Sequence, residues 1–223
     1  MGSFYLRHEK AILTGAVAIF FIVGYLGIAL YTSGDVAATL STSFDRALPY
    51  VPAAWPLYQS VYLLVLVPTR LFSRPTEMRA GAAANLTCMA ISYAFFLLYP
   101  VHHPVPGASA AAAEGVAQAG GNFAVWFDDR GMNCFPSLHM ALATIASLCC
   151  MRADRRLGTA AWALTALIAL SSLLLKRHYL IDLPAGMVLG GVCYTIILRG
   201  RLGALPSLTL ARSSPRGAIA RNP

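Results

Sequence analysis

The chain has 223 residues, of which 57% are hydrophobic and 12% are charged, and its mean hydropathy is +0.62. Soluble domains are typically about 45–50% apolar and about 25% charged, so this composition excludes a disordered chain, a coiled coil and an ordinary soluble enzyme. The formal net charge of +8 is compatible with nucleic-acid binding, but in so apolar a chain it is more typical of basic loops beside an anionic membrane surface. We therefore expect a membrane protein without a nucleic-acid partner.

Six apolar stretches approach the roughly 20 helical residues that cross a bilayer core of about 30 Å. In chain order, the predicted spans are Ala11–Tyr31, Val51–Phe72, Ala80–Tyr99, Pro136–Met151, Gly158–Leu175 and Leu180–Leu198. The first stretch could instead be a signal peptide, but its apolar run exceeds the usual length of about 7–15 residues and no A-x-A site follows closely. The sequence therefore predicts an all-α, polytopic membrane protein, in which six transmembrane helices form a bundle.

The predicted spans divide the chain into three parts. Residues 1–10 form the N-terminus, residues 11–198 form a six-span membrane catalytic domain, and residues 199–223 form a basic tail whose Arg, Gly, Pro and Ser content predicts disorder. A long loop, residues 101–135, joins the third and fourth spans. Loops of this length in compact proteins are often functional, but the sequence does not specify the role of this one.

Basic residues are distributed unequally between the two sides of this topology. With six spans, both termini and the second-to-third and fourth-to-fifth loops share one side, which carries all but four of the 17 Lys and Arg residues. The four exceptions are Arg46, Arg130, Lys176 and Arg177. The positive-inside rule therefore predicts a multi-pass protein of the cell membrane with both termini in the cytoplasm and the 101–135 loop on the extracytoplasmic side.

The first candidate site segment lies where the fourth predicted span begins on the outer side, and it reads Asn133-Cys134-Phe135-Pro136-Ser137-Leu138-His139. Proline is favoured in the first turn of a helix, and the free N–H groups at a helix start bind phosphate. Ser137 would add a hydroxyl donor, and His139 could transfer a proton to a phosphate ester. An equally open alternative is that Pro136-Ser137 only starts a helix and that His139 is an ordinary interfacial histidine.

The second candidate segment lies between the fifth and sixth spans, and it reads Lys176-Arg177-His178-Tyr179-Leu180-Ile181-Asp182. If a helix continues there, His178 and Asp182 are neighbours on one face. A carboxylate that accepts the Nδ1 proton would leave Nε2 free as a nucleophile, and Lys176 and Arg177 would put positive charge beside phosphate. Alternatively, Asp182 only caps the sixth span, and the two basic residues only extend to the interface.

Other polar groups give weaker indications. The five cysteines form no C-x-x-C pair and no zinc spacing. The adjacent histidines His102-His103 alone would make a poor metal site, and Asp128-Asp129 is more typical of a solvated turn. The sequence thus predicts neither a metal nor a cofactor.

Taken together, the two histidine segments resemble motifs of the type 2 phosphatidic acid phosphatase superfamily. The stretch Phe44–Pro52, followed by Tyr58, is similar to the branch that holds inositol phosphorylceramide synthases and sphingomyelin-synthase-like enzymes. The resemblance covers about residues 44–191. Three positions depart from the superfamily pattern: Val67 replaces a lysine, Leu138 replaces a glycine as in the synthase-like branch, and Ser171-Ser172 replaces a Ser-Arg pair. The departures argue against a classical phosphatase.

The resemblance implies six membrane helices and metal-independent phosphoryl transfer from a membrane lipid at the outer leaflet. His178 would attack phosphorus and become phosphohistidine, Asp182 would orient it, and His139 would protonate the leaving alkoxide and then deprotonate the acceptor. Ser137, with Lys176 or Arg177, would hold phosphate oxygens. Water as acceptor would make the protein a phosphatase, whereas a lipid hydroxyl or head-group alcohol would make it a transferase.

Two other classes of protein stay open. A transporter or channel subunit usually carries ionisable residues near the bilayer centre, and the predicted spans carry almost none there. A non-catalytic membrane scaffold would keep the motifs without turnover. The sequence does not indicate an oligomeric state.

Overall fold

The computed structural model describes residues 2–32, 37–102 and 133–200, with side chains from His8 onward. Within these ranges the chain forms α-helices and no β-strand, so the all-α class is confirmed. The helices are α1 Gly2–Tyr31, α2 Ser43–Ala47, α3 Trp55–Leu71, α4 Pro75–Leu98, α5 Leu138–Ala153, α6 Arg155–Leu174 and α7 Asp182–Cys193. A 3₁₀ turn, Pro52–Ala54, precedes α3, and a π-helical turn, Tyr194–Arg199, continues α7.

Several predicted features lie outside the described residues. They are the tail beyond residue 200, Asp128-Asp129, His103 and residues 103–132 of the long loop.

In the described part of the chain, four helices are long and apolar enough to cross a membrane: His8–Tyr31 within α1, Pro75–Leu98, Arg155–Leu174 and Asp182–Arg199. The second and fourth predicted spans fold as α3, with 17 residues, and α5, with 16 residues. At 1.5 Å per residue these helices rise only about 24–26 Å, less than a typical bilayer core. The structure therefore supports a membrane protein, while six complete crossings stay a prediction.

Prolines explain why α3 is shorter than its predicted span. Val51 is extended, Pro52 opens the 3₁₀ turn, and Pro56 occupies the first turn of α3. A proline there costs little because its missing N–H would have no partner in the helix. Pro68 lies in the last turn of α3, where its carbonyl accepts the N–H of Phe72.

Helix α5 lies at the centre of the bundle, and most of its side chains are buried. It packs between α3, α6 and α7, and it presents small residues such as Ala141, Ala143 and Ala146 to these neighbours. Small residues let helix backbones approach closely in a membrane bundle. A helix surrounded by protein in this way needs less lipid-facing length than a peripheral span.

The bundle has two chemically different ends. The histidine end holds the starts of α5 and α7, where the Ser137 N–H donates to the Asp182 carbonyl over 3.2 Å. The end of α1 also lies there. So do the segments around Ala38 and Val101, and an isolated β-bridge joins these two segments. The arginine end holds the α3–α4 and α5–α6 connections with Arg70, Arg74, Arg79, Arg152, Arg155 and Arg156. Which side of the membrane each end faces stays a prediction.

Two glycines bring α7 against α5. A Cβ atom at Gly186 would overlap the carbonyl of Ser137, and one at Gly190 would overlap the carbonyl of Ala141. The neighbouring Gly191 has open space at the same position. The α5–α7 contact therefore requires glycine on one face of α7 only.

We expect Gly190→Ala to lower the unfolding free energy by about 1–3 kcal/mol, the usual cost of overpacking, because backbone has to move. Gly191→Ala is the matched control and should be neutral or stabilising by up to about 1 kcal/mol, since alanine is the better helix former. Thermal unfolding in detergent micelles would measure both variants. Equal effects of the two substitutions would contradict the close α5–α7 contact.

Candidate active site

The structure brings His139 and His178 together at the histidine end. Their ring centroids lie 6.0 Å apart with an interplanar angle of 66°, and both side chains are buried. His139 is in the first turn of α5, whereas His178 lies in the connection between α6 and α7. Two histidines that are distant in the sequence are thus brought into edge-to-face ring contact.

His178 and Asp182 meet through a turn and not along one continuous helix. The Nδ1 atom of His178 lies 3.3 Å from Oδ2 of Asp182, and the Tyr179 N–H donates to the same oxygen over 2.7 Å. The condition of a continuous helix is not met, because α6 ends at Leu174 and Lys176 has a left-handed φ of 56°. Asp182 is not the helix cap of the alternative interpretation, since Ile181 occupies the N-cap position and Asp182 lies in the first turn of α7.

Ser137 is the N-cap of α5, and its Oγ accepts the N–H of Met140. The same Oγ lies 3.0 Å from Nε2 of His178. Pro136 therefore precedes the cap, not in the first helical turn as the sequence predicted. The arrangement directs Nε2 of His178 towards the α5 N-terminus, where free N–H groups favour an anion.

Aromatic rings fix the position of His139. The hydroxyl of Tyr58 lies 3.4 Å from Nδ1 of His139, and the two ring centroids are 4.6 Å apart. Tyr62, one turn further along α3, presents its ring at 5.9 Å in an edge-to-face arrangement. Only Tyr58 entered the sequence analysis, and only through the resemblance, because a tyrosine in an apolar run carries no spacing signal of its own.

The two basic residues beside His178 are both buried. The Nζ atom of Lys176 donates to the backbone carbonyl of Asp45 over 2.5 Å. The guanidinium carbon of Arg177 lies 5.5 Å from the centroid of the Trp55 ring, a cation–π distance. Lys176 is thus engaged with α2, while a phosphate-binding role for either residue stays a prediction.

Asp45 holds the His178 loop from the side. Its Oδ1 accepts the N–H of Leu180 over 2.8 Å, while Oδ2 forms a capping box with Thr42. Burial alone would raise the pKa of Asp45, but the hydrogen bonds from Thr42 and Leu180 and the charge of Lys176 outweigh it and lower that pKa below its ordinary value. Thr42-x-x-Asp45 is a capping-box pattern, so the sequence signalled a helix start here but not its distant partner.

Cys134 completes the surroundings of Asp182. Its Sγ donates to Oδ2 of Asp182 over 2.9 Å and lies 3.7 Å from Nδ1 of His178. Cysteine spacing along the chain assigned no role to Cys134, because its partners, His178 and Asp182, follow only after α5 and α6 in the sequence. Among the described residues, the other carboxylate oxygen of Asp182, Oδ1, is buried without a hydrogen-bond partner.

An apolar cavity of about 250 Å³ reaches His139 from within the bundle. It is lined by residues of α1, α3, α4 and α5, among them Val17, Val65, Met89 and Leu142. Its α3 wall extends from Val61 to Thr69, which corresponds to about 12 Å of helix. The cavity could therefore hold a hydrocarbon chain whose polar end lies at His139.

Residues 4–196 match the model of a family described as the PAP2 superfamily. This segment includes both histidines, Asp182, Ser137 and the two basic residues. No curated protein and no solved structure matches the chain.

We expect the contribution of Asp45 to stability to depend on pH. Because its folded-state pKa is lowered, the carboxylate stabilises the folded protein above the ordinary aspartate pKa, and this stabilisation is lost as the pH falls through the lowered pKa. Asp45→Asn should therefore lower the unfolding free energy by about 1–3 kcal/mol near neutral pH, with the difference from wild type closing in acid. Thermal unfolding at a series of pH values measures this difference.

The matched control is Asp154→Asn, because Asp154 caps α6 at the arginine end and asparagine caps a helix about as well as aspartate. This variant should stay close to wild type near neutral pH. A destabilisation by Asp45→Asn that is the same at every pH would contradict the proposed electrostatic origin.

Proposed function

The chain belongs to the PAP2 superfamily, which generally catalyses phosphoryl transfer, and we propose that this protein is an integral membrane lipid phosphatase or phosphotransferase. The observation that carries the proposal is the arrangement around His178. Its Nδ1 lies against Asp182, its Nε2 lies beside Ser137 at the α5 N-terminus, and His139 lies 6.0 Å away between ring centroids.

In the first proposed step, Nε2 of His178 attacks the phosphorus atom of the lipid phosphate. Asp182 accepts a hydrogen bond from the Nδ1–H group, which leaves the lone pair on Nε2 and stabilises the positive charge that the imidazole gains in the attack. The Nε2–P bond forms as the bond from phosphorus to the alcohol oxygen breaks. The Ser137 hydroxyl and the first N–H groups of α5 would bind the phosphoryl oxygens, where negative charge accumulates.

His139 serves both steps on the alcohol side. It gives its proton to the leaving alkoxide, and as a neutral base it then takes a proton from the acceptor that attacks phosphohistidine. The hydroxyl of Tyr58 holds the ring through Nδ1. The second step restores free His178 and the protonated His139.

The cavity supports an alcohol with a long apolar chain. It ends at the residue that would exchange a proton with the alcohol oxygen, and its walls are almost entirely apolar. A diacylglycerol-like or ceramide-like alcohol fits this description, either as leaving group or as acceptor. We further propose that residues 11–198 form the catalytic domain and that the site works at the outer leaflet, as the distribution of arginines favours.

Head-group transfer to ceramide or diacylglycerol is the alternative to hydrolysis. Leu138 favours it, because this residue replaces the glycine of the classical phosphatase motif and is buried at the start of α5. Incubation of the purified protein with labelled phospholipid, with and without ceramide or diacylglycerol, separates the two: release of phosphate or of a phosphorylated head group indicates hydrolysis, and a new phospholipid indicates transfer. A non-catalytic scaffold or transporter subunit would give neither product.

We expect His178→Gln and His139→Gln to fail at different steps. With a lipid phosphate, each variant should lose at least about 100-fold in turnover. With an aryl phosphate such as nitrophenyl phosphate, the leaving group needs no proton. His139→Gln should therefore release one nitrophenolate per protein molecule and then stop at the phosphohistidine intermediate. Stopped-flow absorbance and acid-labile, base-stable labelling measure the burst and the intermediate.

His178→Gln should show neither burst nor label with the aryl phosphate. Tyr31→Phe, an exposed substitution at the end of α1, is the matched control and should behave as wild type. A burst in His178→Gln, or no turnover by folded wild type with any phosphate ester, would contradict the proposed chemistry.

Filling the cavity should discriminate between long and short alcohols. Val65→Phe places a ring in the cavity, so we expect turnover of a long-chain lipid phosphate to fall about tenfold, as expected for displacing roughly two methylene groups. Turnover of the aryl phosphate should stay close to wild type, because its leaving group does not need the cavity. Val188→Phe, on the exposed face of α7, is the control; equal losses with both substrates would contradict the assignment.

A further inference from the structure

We propose that Cys134, His178 and Asp182 form a binding site for a zinc-type divalent cation, and that the bound cation inhibits the enzyme. The three side chains come from two segments of the chain, and all three are buried. Their potential ligand atoms, Sγ, Nδ1 and a carboxylate oxygen, lie within 4.8 Å of one another. The binding part of this inference does not depend on the proposed function, whereas the inhibition rests on it.

The distances between these atoms suit a tetrahedral ion. Sγ of Cys134 lies 3.7 Å from Nδ1 of His178 and 2.9 Å from Oδ2 of Asp182, and Nδ1 lies 3.3 Å from Oδ2. Zinc bonds of about 2.0–2.3 Å at tetrahedral angles separate such ligands by roughly 3.3–3.6 Å. The separation of Nδ1 and Oδ2 already agrees, and that of Sγ and Nδ1 is only about 0.1 Å too long. The thiol and the carboxylate would have to part by about half an ångström.

The surroundings of the three ligands also suit a cation. Oδ1 of Asp182 is buried without a hydrogen-bond partner among the described residues, so the carboxylate has unused acceptor capacity inside the protein. The other ring nitrogen of His178 is fixed by Ser137, and metal-bound histidines almost always have such a second contact. A buried carboxylate with an unpaired oxygen costs free energy, which a bound cation would offset.

The donor set selects the kind of cation. A thiolate and an imidazole favour zinc and similar soft or borderline ions, whereas magnesium and calcium prefer oxygen ligands. Three protein ligands leave a fourth position open. Binding would displace the thiol proton of Cys134 to solvent, since the thiolate is the ligand.

Occupancy of this site would stop the proposed phosphoryl transfer. The ion would occupy Nδ1 of His178 and take the carboxylate oxygen that otherwise orients the ring. A neutral imidazole that binds the ion through Nδ1 carries its proton on Nε2, so Nε2 then has no lone pair with which to attack phosphorus. Inhibition would therefore act on the nucleophile and leave the apolar cavity unaffected.

The binding test uses the full chain, purified in detergent without a polyhistidine tag and treated with a chelator. Zinc is titrated with a competing indicator, and Co²⁺ serves as a spectroscopic substitute whose thiolate-to-metal absorption reports a sulfur ligand. We expect one zinc per chain and a thiolate band in the wild type. Cys134→Ser should lose the band and weaken zinc binding at least about tenfold, while Cys88→Ser, a buried cysteine of α4, should keep both.

The activity test compares, for each protein, phosphate-ester turnover with and without zinc. We expect zinc to inhibit the wild type and Cys88→Ser, and to inhibit Cys134→Ser only at concentrations at least about tenfold higher. Equal cobalt spectra of wild type and Cys134→Ser would overturn the site, and stoichiometric zinc with unchanged turnover would overturn the inhibition. Absence of turnover in every protein would count against the proposed function, while the cobalt spectra would still decide the site.

Discussion

The carboxylate of Asp182 is the group on which the whole site depends. It is fully buried, and a buried charge is tolerated only when hydrogen bonds and charge partners surround it. One oxygen, Oδ2, is approached by the Cys134 thiol, the Tyr179 N–H and the His178 ring. These contacts join the segment before α5 to the turn before α7, so the site exists only when the two segments are docked together.

Much of the fold could be predicted because hydropathy and proline positions act locally. Each of the six predicted spans contains a helix, and the arginine-rich loops lie together at one end. The lengths of the spans were less predictable. Helix α5 is short because other helices surround it, and the hydropathy of a short stretch of sequence does not report such an environment. The fourth span was predicted to begin at Pro136, whereas α5 begins two residues later, at Leu138, since Ser137 is the better cap.

The site could be predicted in part. The histidines and Asp182 were identifiable because each stands out in an apolar surrounding, and the structure brings them together. The roles of Cys134, Asp45 and Tyr62 could not be predicted, because each depends on a partner that only tertiary packing supplies. The path of the backbone from the end of α6 to His178 was also inaccessible, since it includes a left-handed conformation at Lys176, a residue type that rarely adopts one.

The two glycines of α7 have a consequence for motion. Because they seat α7 directly on the backbone of α5, the starts of these helices, which carry Ser137, His139 and Asp182, have little freedom to slide past one another. Bending elsewhere in the bundle then has little effect on the distances between the reacting groups. Adjustment to substrates of different bulk would fall to α1 and α4, which border the cavity on its other sides, so reaction geometry and substrate fit are divided between different helices.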